Sequence, residues 1–193
     1  MNKNRLEAFS DGVLAIIITI MVLEFKVPND TTFESVIKLS HKFLSYILSF
    51  IYVGIYWNNH HHLIHSLKNV NGKILWANLH LLFWLSLIPF ATAWIGEHHF
   101  APFPMMLYGI VLLMNAIAYY ILQLLILIDH GKDSTLSKAI GNDFKGKISL
   151  VLYVLAVLLT NYSVEISGAI YILVALIWLI PDKRIERTFY ENK

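Results

Sequence analysis

Six apolar runs separated by polar breaks make up most of the chain. They fall at 5–25, 43–66, 74–95, 103–128, 146–161 and 165–180. A membrane-spanning helix needs about 20 apolar residues, and the longer runs meet that length outright. The run at 146–161 is near the lower limit and spans by letting the lysines of 144–147 snorkel. Pro28-Asn29-Asp30 ends the first run, and the polar linker behind it carries a short amphipathic turn around Phe33, Val36 and Ile37. The second run does not stop at Trp57. It continues through Asn58-Asn59-His60-His61-His62, which remain compatible with a helix. Pro89 puts a kink inside the third run. The pattern predicts an all-α membrane protein of six transmembrane helices forming a single domain over 1–193.

Composition strengthens that prediction. Hydrophobic residues make up 57% of the chain and charged ones 15%, whereas soluble domains have about 45–50% and about 25%. A net charge of +2 gives no basis for a nucleic-acid partner, so none is expected. The chain has no cysteine, which excludes disulfides and thiolate metal sites. The first run is interrupted by Ser10 and Asp11 and lacks a small-residue cleavage site, so it is expected to stay as a helix rather than be removed as a signal.

Basic residues set the orientation. With the N-terminus in the cytoplasm, the inside segments hold Lys3, Arg5, Lys68, Lys73, Lys132, Lys138, Lys145, Lys147, Lys183, Arg184, Arg187 and Lys193. The outside loops hold Lys26, Lys38 and Lys42. Such a bias follows the positive-inside rule with both termini cytoplasmic. The expected location is the cell's inner (plasma) membrane, crossed several times.

This topology brings polar groups to one depth. Asp11 lies toward the cytoplasmic end of the first helix, as do Trp57, Asn58 and His60 to His65 on the second and Trp76, Asn78 and His80 on the third. Two readings fit. In one, Ser10 and Asp11 only cap or solvate the helix start and the histidines sit at headgroup level. In the other, the groups meet in a buried layer through which Arg5 and Asp11 pair. At 100° per residue, Ile16, Ile20 and Leu23 form a stripe with Gly12 and Thr19 beside it, and Asp11 lies on the far side. Lipid or a packed bundle would satisfy such a stripe equally well.

Catalytic chemistry finds little support. His61 or His62 with His65 has helical metal-ligand spacing, but the other histidines are scattered, so no structural metal is expected. There is no Gly-x-Ser-x-Gly elbow. An enzyme is not expected.

The string Arg5-x-x-x-Phe9-Ser10-Asp11, continued by Gly12-Val13-x-Ala15-Ile16 and Ile18-Thr19-x-x-Val22-Leu23-Glu24, resembles the signature of the transmembrane protein 175 family of endolysosomal potassium channels and their prokaryotic relatives. The resemblance implies a homotetramer of single-repeat subunits in the lipid bilayer, with helix one lining a central pore. It implies passive K⁺ conduction, K⁺ ions in the pore as the permeant partner, and no cofactor. By position, Ile16 matches the main hydrophobic constriction, Ile20 and Leu23 the rings beyond it, and Thr19 a residue tied to selectivity. Arg5, Phe9, Ser10 and Asp11 match the signature that fastens helix one to its neighbours, with Trp57 and His61. The family has no carbonyl filter, and Tyr52-Val53-Gly54-Ile55-Tyr56 sits inside a spanning run where it could not form one. The alternative class is a proton-coupled secondary transporter working through Asp11 and the nearby histidines.

Overall fold

The structure is a computed structural model that describes residues 2–67, 69–131, 141 and 143–179. Lys68, Lys132, Lys138 and the basic tail from Lys183 to Lys193, which enter the orientation argument, lie outside the described residues, as does Ile180 at the end of the last predicted run.

The described residues form helices joined by short connections: α1 (Lys3–Leu23), α2 (Phe33–Ile37), α3 (Ser40–His65), α4 (Gly72–Ser86), α5 (Ile88–Glu97), α6 (Pro102–His130), α7 (Phe144–Leu159) and α8 (Val164–Leu179). Side chains cap several starts. The Asn2 amide oxygen accepts from the Asn4 N–H at 3.1 Å, and that of Asn71 accepts from the Ile74 N–H at 3.0 Å. Each satisfies a backbone donor that has no partner in the first helical turn. Asp143 does the same for α7, accepting from the Gly146 N–H at 3.1 Å.

The third apolar run is divided at Leu87, and α5 resumes with Pro89 in its first turn. A proline there has no N–H to give back to the preceding turn, and its ring displaces the carbonyl four residues earlier. The expected kink falls at Leu87, where α4 and α5 meet within the single span Gly72–Glu97. The turn expected around Phe33 forms as α2, with Phe33, Val36 and Ile37 turned outward from the subunit.

Lys3–Leu23, Gly72–Glu97 and Pro102–His130 are long and apolar enough to cross a membrane, and Val164–Leu179 is a shorter apolar helix. At about 1.5 Å per residue, the 29 residues of α6 reach about 43 Å, well beyond a hydrocarbon core of about 30 Å.

Helix α6 runs through the middle of the bundle, packed by α4, α5, α7 and α8, while α1 packs on α3, α4 and α5 at one side. Tyrosines occupy the centre. Tyr52, Tyr108 and Tyr171 are buried, the Tyr52 hydroxyl donates to the Tyr171 carbonyl at 2.5 Å, and Tyr108 shares a 3.0 Å hydrogen bond with Ser49. Gly109 is glycine because the Tyr171 ring occupies the place of a side chain there. Large apolar side chains also cover much of the outer surface. In water that would be a liability, but in lipid it carries little cost.

Candidate functional site

Helix α1 has two faces, and its sequence phase sets them. Leu6, Ser10, Leu14, Ile17 and Met21 are buried against the bundle. They follow one another at steps of three or four residues, which keeps them on one stripe. The opposite stripe holds Phe9, Gly12, Ile16, Thr19, Ile20 and Leu23, all exposed in the subunit. Ile16 is 58% exposed and Leu23 78%, so the best-matched apolar residues of the helix are the least used in folding one chain.

A chain of donors crosses the buried face. The His60 Nε2–H donates to Asn78 Oδ1 at 2.6 Å, because an amide oxygen can only accept. Asn78 Nδ2–H then donates to Ser10 Oγ at 3.0 Å, and Ser10 Oγ–H donates to the Leu6 carbonyl at 2.9 Å. All three side chains are buried, and the relay ties α3 to α4 to α1. It leaves His60 Nδ1 as a buried ring nitrogen with no hydrogen-bond partner.

Beside the relay runs a ladder. The Trp57 indole N–H donates to Asp11 Oδ1 at 3.1 Å, His61 Nδ1 meets Glu7 Oε1 at 2.8 Å, and Lys3 Nζ donates to the His65 carbonyl at 3.0 Å. The pairs step by four residues up one helix and down the other, which is the spacing of one face of each of two antiparallel helices. The lysine rung also places a cation at the C-terminus of α3, where the helix dipole favours it.

Of the six signature residues, the structure brings together Ser10, Asp11, Trp57 and His61, with His60 and Asn78 among them. It does not bring in Arg5 or Phe9. Both are exposed, and among the described residues Arg5 forms no ion pair. The Arg5–Asp11 pair that one of the two readings contained does not form among the described residues for a geometric reason: six residues turn the helix by about 240°, which sets the two side chains on different faces. Trp76 and His80 also stay out of the layer. Trp76 is 76% exposed, and His80 accepts from the Trp84 indole at 2.9 Å on its own helix.

Glu7 is the functional-face residue that sequence reasoning missed. Its signal was present: Glu7 precedes Asp11 by four residues just as His61 follows Trp57 by four.

On the outward face, Thr19 Oγ1–H is directed at its own helix, toward the carbonyls of Ile16 at 2.8 Å and Ala15 at 3.1 Å. Its lone pairs are therefore left to face outward. An open groove runs alongside the stripe, between Ile16 and Ile20 on α1 and Phe90 and Ala93 on α5.

Comparisons with known proteins identify relatives of the chain. The sequence model of the family described as "Endosomal/lysosomal potassium channel TMEM175" matches residues 5–89. That segment contains the relay and the Trp57–Asp11 and His61–Glu7 rungs of the ladder. A potassium channel of Chryseobacterium sp. is 60% identical over 192 residues, covering 100% of both chains. A potassium channel of Chamaesiphon minutus is 36% identical over 104 residues, 51% of each chain. The crystal structure of a lysosomal potassium-selective channel TMEM175 homolog from Chamaesiphon minutus superposes with a TM-score of 0.79 at 28% identity, covering 93% of this chain and 97% of that one. These relatives are ion channels and not enzymes. The chain is a membrane protein belonging to the TMEM175 potassium channel family.

Proposed function

We propose that this chain is the subunit of a K⁺-permeable channel in which four copies place α1 around a central pore. Each subunit crosses the inner (plasma) membrane six times, as one domain over 1–193, with both termini in the cytoplasm. The observation that carries the reading is the exposed Ile16–Ile20–Leu23 stripe on a helix whose other face is fastened by the relay and the ladder. A helix held so firmly by one face presents the other at a fixed angle, as a pore lining requires.

In a four-fold assembly, Ile16 from each subunit forms the main constriction, and Ile20 and Leu23 form rings beyond it. Apolar rings of this kind gate by excluding water. Thr19 supplies outward lone pairs between them, which suits a partly dehydrated cation. K⁺ is then the permeant ion rather than a bound cofactor, and no structural metal is required for conduction.

The orientation has support from contacts. Lys3 on α1 meets the end of α3, Asn71 donates to Asp129 at 3.2 Å, and Gln123 donates to Asp143 at 3.0 Å. The start of α1, the end of α3, the start of α4, the end of α6 and the start of α7 therefore share one end of the bundle, which is the end rich in assigned cytoplasmic lysines.

The test is reconstitution in liposomes, with K⁺ and Na⁺ flux recorded beside the mass of the oligomer. Ile16→Asn is expected to raise leak by wetting the constriction while the tetramer persists. Unchanged conductance in a correctly assembled Ile16→Asn channel would remove Ile16 from the ion path, and a monomeric conducting species would remove the pore itself.

A further inference from the structure

At the opposite end of the bundle from the ladder, two imidazoles face each other across a connection. His41 stands in the first turn of α3, and His99 lies in the loop between α5 and α6. Their Nδ1 atoms are 3.1 Å apart, with ring centroids at 4.5 Å and planes at 89°. Neither ring is buried, although the His41 ring also lies beside Phe100, with ring centroids 5.7 Å apart.

The scaffold beneath them is firm. Gly96 lets α5 approach α3 so closely that an added Cβ would stand 2.9 Å from Lys42 Cα and 2.7 Å from Ser45 Oγ. Glu97 forms an ion pair with Lys42 across the same junction. His99 and Phe100 both adopt the left-handed region, with φ of 49° and 58°. Two consecutive non-glycine residues in that region cost energy and persist only where the surroundings hold them; such residues concentrate at ligand clamps.

We propose that His41 and His99 form a binding site for a divalent transition ion of the Zn²⁺ class. Zinc–imidazole bonds of about 2.0–2.1 Å at a tetrahedral angle place the two nitrogens about 3.3 Å apart. Ligands at a right angle, as on a square-planar ion, stand about 2.9 Å apart. The observed 3.1 Å falls between these spans. Rotation of the two rings turns both Nδ1 lone pairs onto a common point, and the ring that now donates moves its proton from Nδ1 to Nε2 as the metal enters, so both bind as neutral imidazoles. The carboxylate of Glu97 lines the same surface hollow but stays paired with Lys42, so the two imidazoles are the protein ligands. Water completes the shell. The neighbouring His98 is engaged elsewhere, with Nδ1 3.2 Å from the Trp94 carbonyl. A bound ion clips the α5–α6 loop to the start of α3, outside the conducting stripe.

The experiment is calorimetric titration of the purified channel in detergent with Zn²⁺ alone, paired with thermal unfolding in the presence and absence of the ion. The expected result is a binding step that raises the melting temperature and weakens at least tenfold, roughly, in His41→Gln and in His99→Asn, since even loss of a supporting partner to a ligand weakens metal affinity by about that much. Asparagine tolerates the left-handed backbone at that loop position, and His41→Gln reads the site independently should the loop variant fold poorly. His98→Ala should bind as the parent does. Full affinity in both His41→Gln and His99→Asn overturns the proposal, as does a binding step removed only by His62→Ala or His65→Ala at the far end of α3, or no binding step at all in the parent.

Discussion

Asn78 stands at the middle of the relay, and replacing it distinguishes a structural bond from a passing contact. Asn78→Leu removes the acceptor of the His60 Nε2–H and the donor to Ser10 Oγ, at 2.6 Å and 3.0 Å, in a site where all three side chains are buried. Interhelical hydrogen bonds within membranes average only about 0.6 kcal/mol, with a maximum of about 1.7. A buried donor left without a partner, however, costs about 1–3 kcal/mol, and His60 Nδ1 already lacks a partner. The bonds and the stranded imidazole together place the loss at about 2–4 kcal/mol. Ser10→Ala removes the far end only. It strands the Asn78 Nδ2–H while His60 keeps its acceptor, so its cost is near the lower limit of about 1 kcal/mol. The double variant should cost less than the sum of the singles, because with Asn78 gone Ser10 has no amide to receive. The assay is equilibrium unfolding of the detergent-solubilised channel for the parent and the three variants. Strict additivity, or an Asn78→Leu variant as stable as the parent, would refute the relay as a coupled unit.

Other consequences are measurable on the same preparation. Gly109→Ala puts a methyl group into the Tyr171 ring and should lower stability by about 1–3 kcal/mol, read from the melting temperature; an unchanged melting temperature would show that α8 yields freely. Glu7→Gln weakens only a half-exposed rung, so its cost should stay within about 1 kcal/mol and shrink further as salt is added. Asp11→Ala removes the carboxylate that holds Trp57, and should reduce tetramer yield while leaving ion preference in the surviving channels unchanged. Thr19→Val keeps the volume and removes the outward lone pairs, so K⁺ over Na⁺ preference in liposome flux should fall with little change in assembly.

Much of this architecture is visible in the hydrophobic pattern because lipid enforces it. Long apolar runs bounded by charge have few alternatives to a helix, and a proline inside such a run must kink or break it. Ser10 and Asp11 announced themselves as polar groups in an apolar run. Helical phase also separated Asp11 from Ile16, and the burial of Ser10 against the exposure of Ile16 follows that division. The partners were harder to read. Which histidine meets Asn78 depends on the depth and rotation of α3, and a run of three histidines presents one on every side. His60 points inward, while His61 reaches Glu7 along the flank. The phase that separates Asp11 from Ile16 also separates Arg5 from Asp11, which stand six residues and about 240° apart on the helix. His41 and His99 are 58 residues apart, and no periodicity within one helix could have paired them.

The polar face of α1 has a task that apolar packing cannot perform. In lipid, a leucine gains little by leaving tails for a neighbouring helix, so burial alone does not choose which side of an apolar helix turns inward. Leu6, Leu14, Ile17 and Met21 fill the contact, yet Ile16, Ile20 and Leu23 would fill it too if the helix turned. Rotation by half a turn would carry Ser10 out of the relay and strand the amide of Asn78. It would also separate Glu7 and Asp11 from His61 and Trp57 and leave two acids facing lipid. An unpaired acid costs about 2.5 kcal/mol or more at the centre of a membrane helix even on the mildest scales, and less toward the end where Glu7 and Asp11 stand. The relay and ladder therefore fix the rotation of α1, and with it the direction of the stripe proposed to line the pore. The residues that determine which side chains meet the ion are, on this account, those on the face that never touches it.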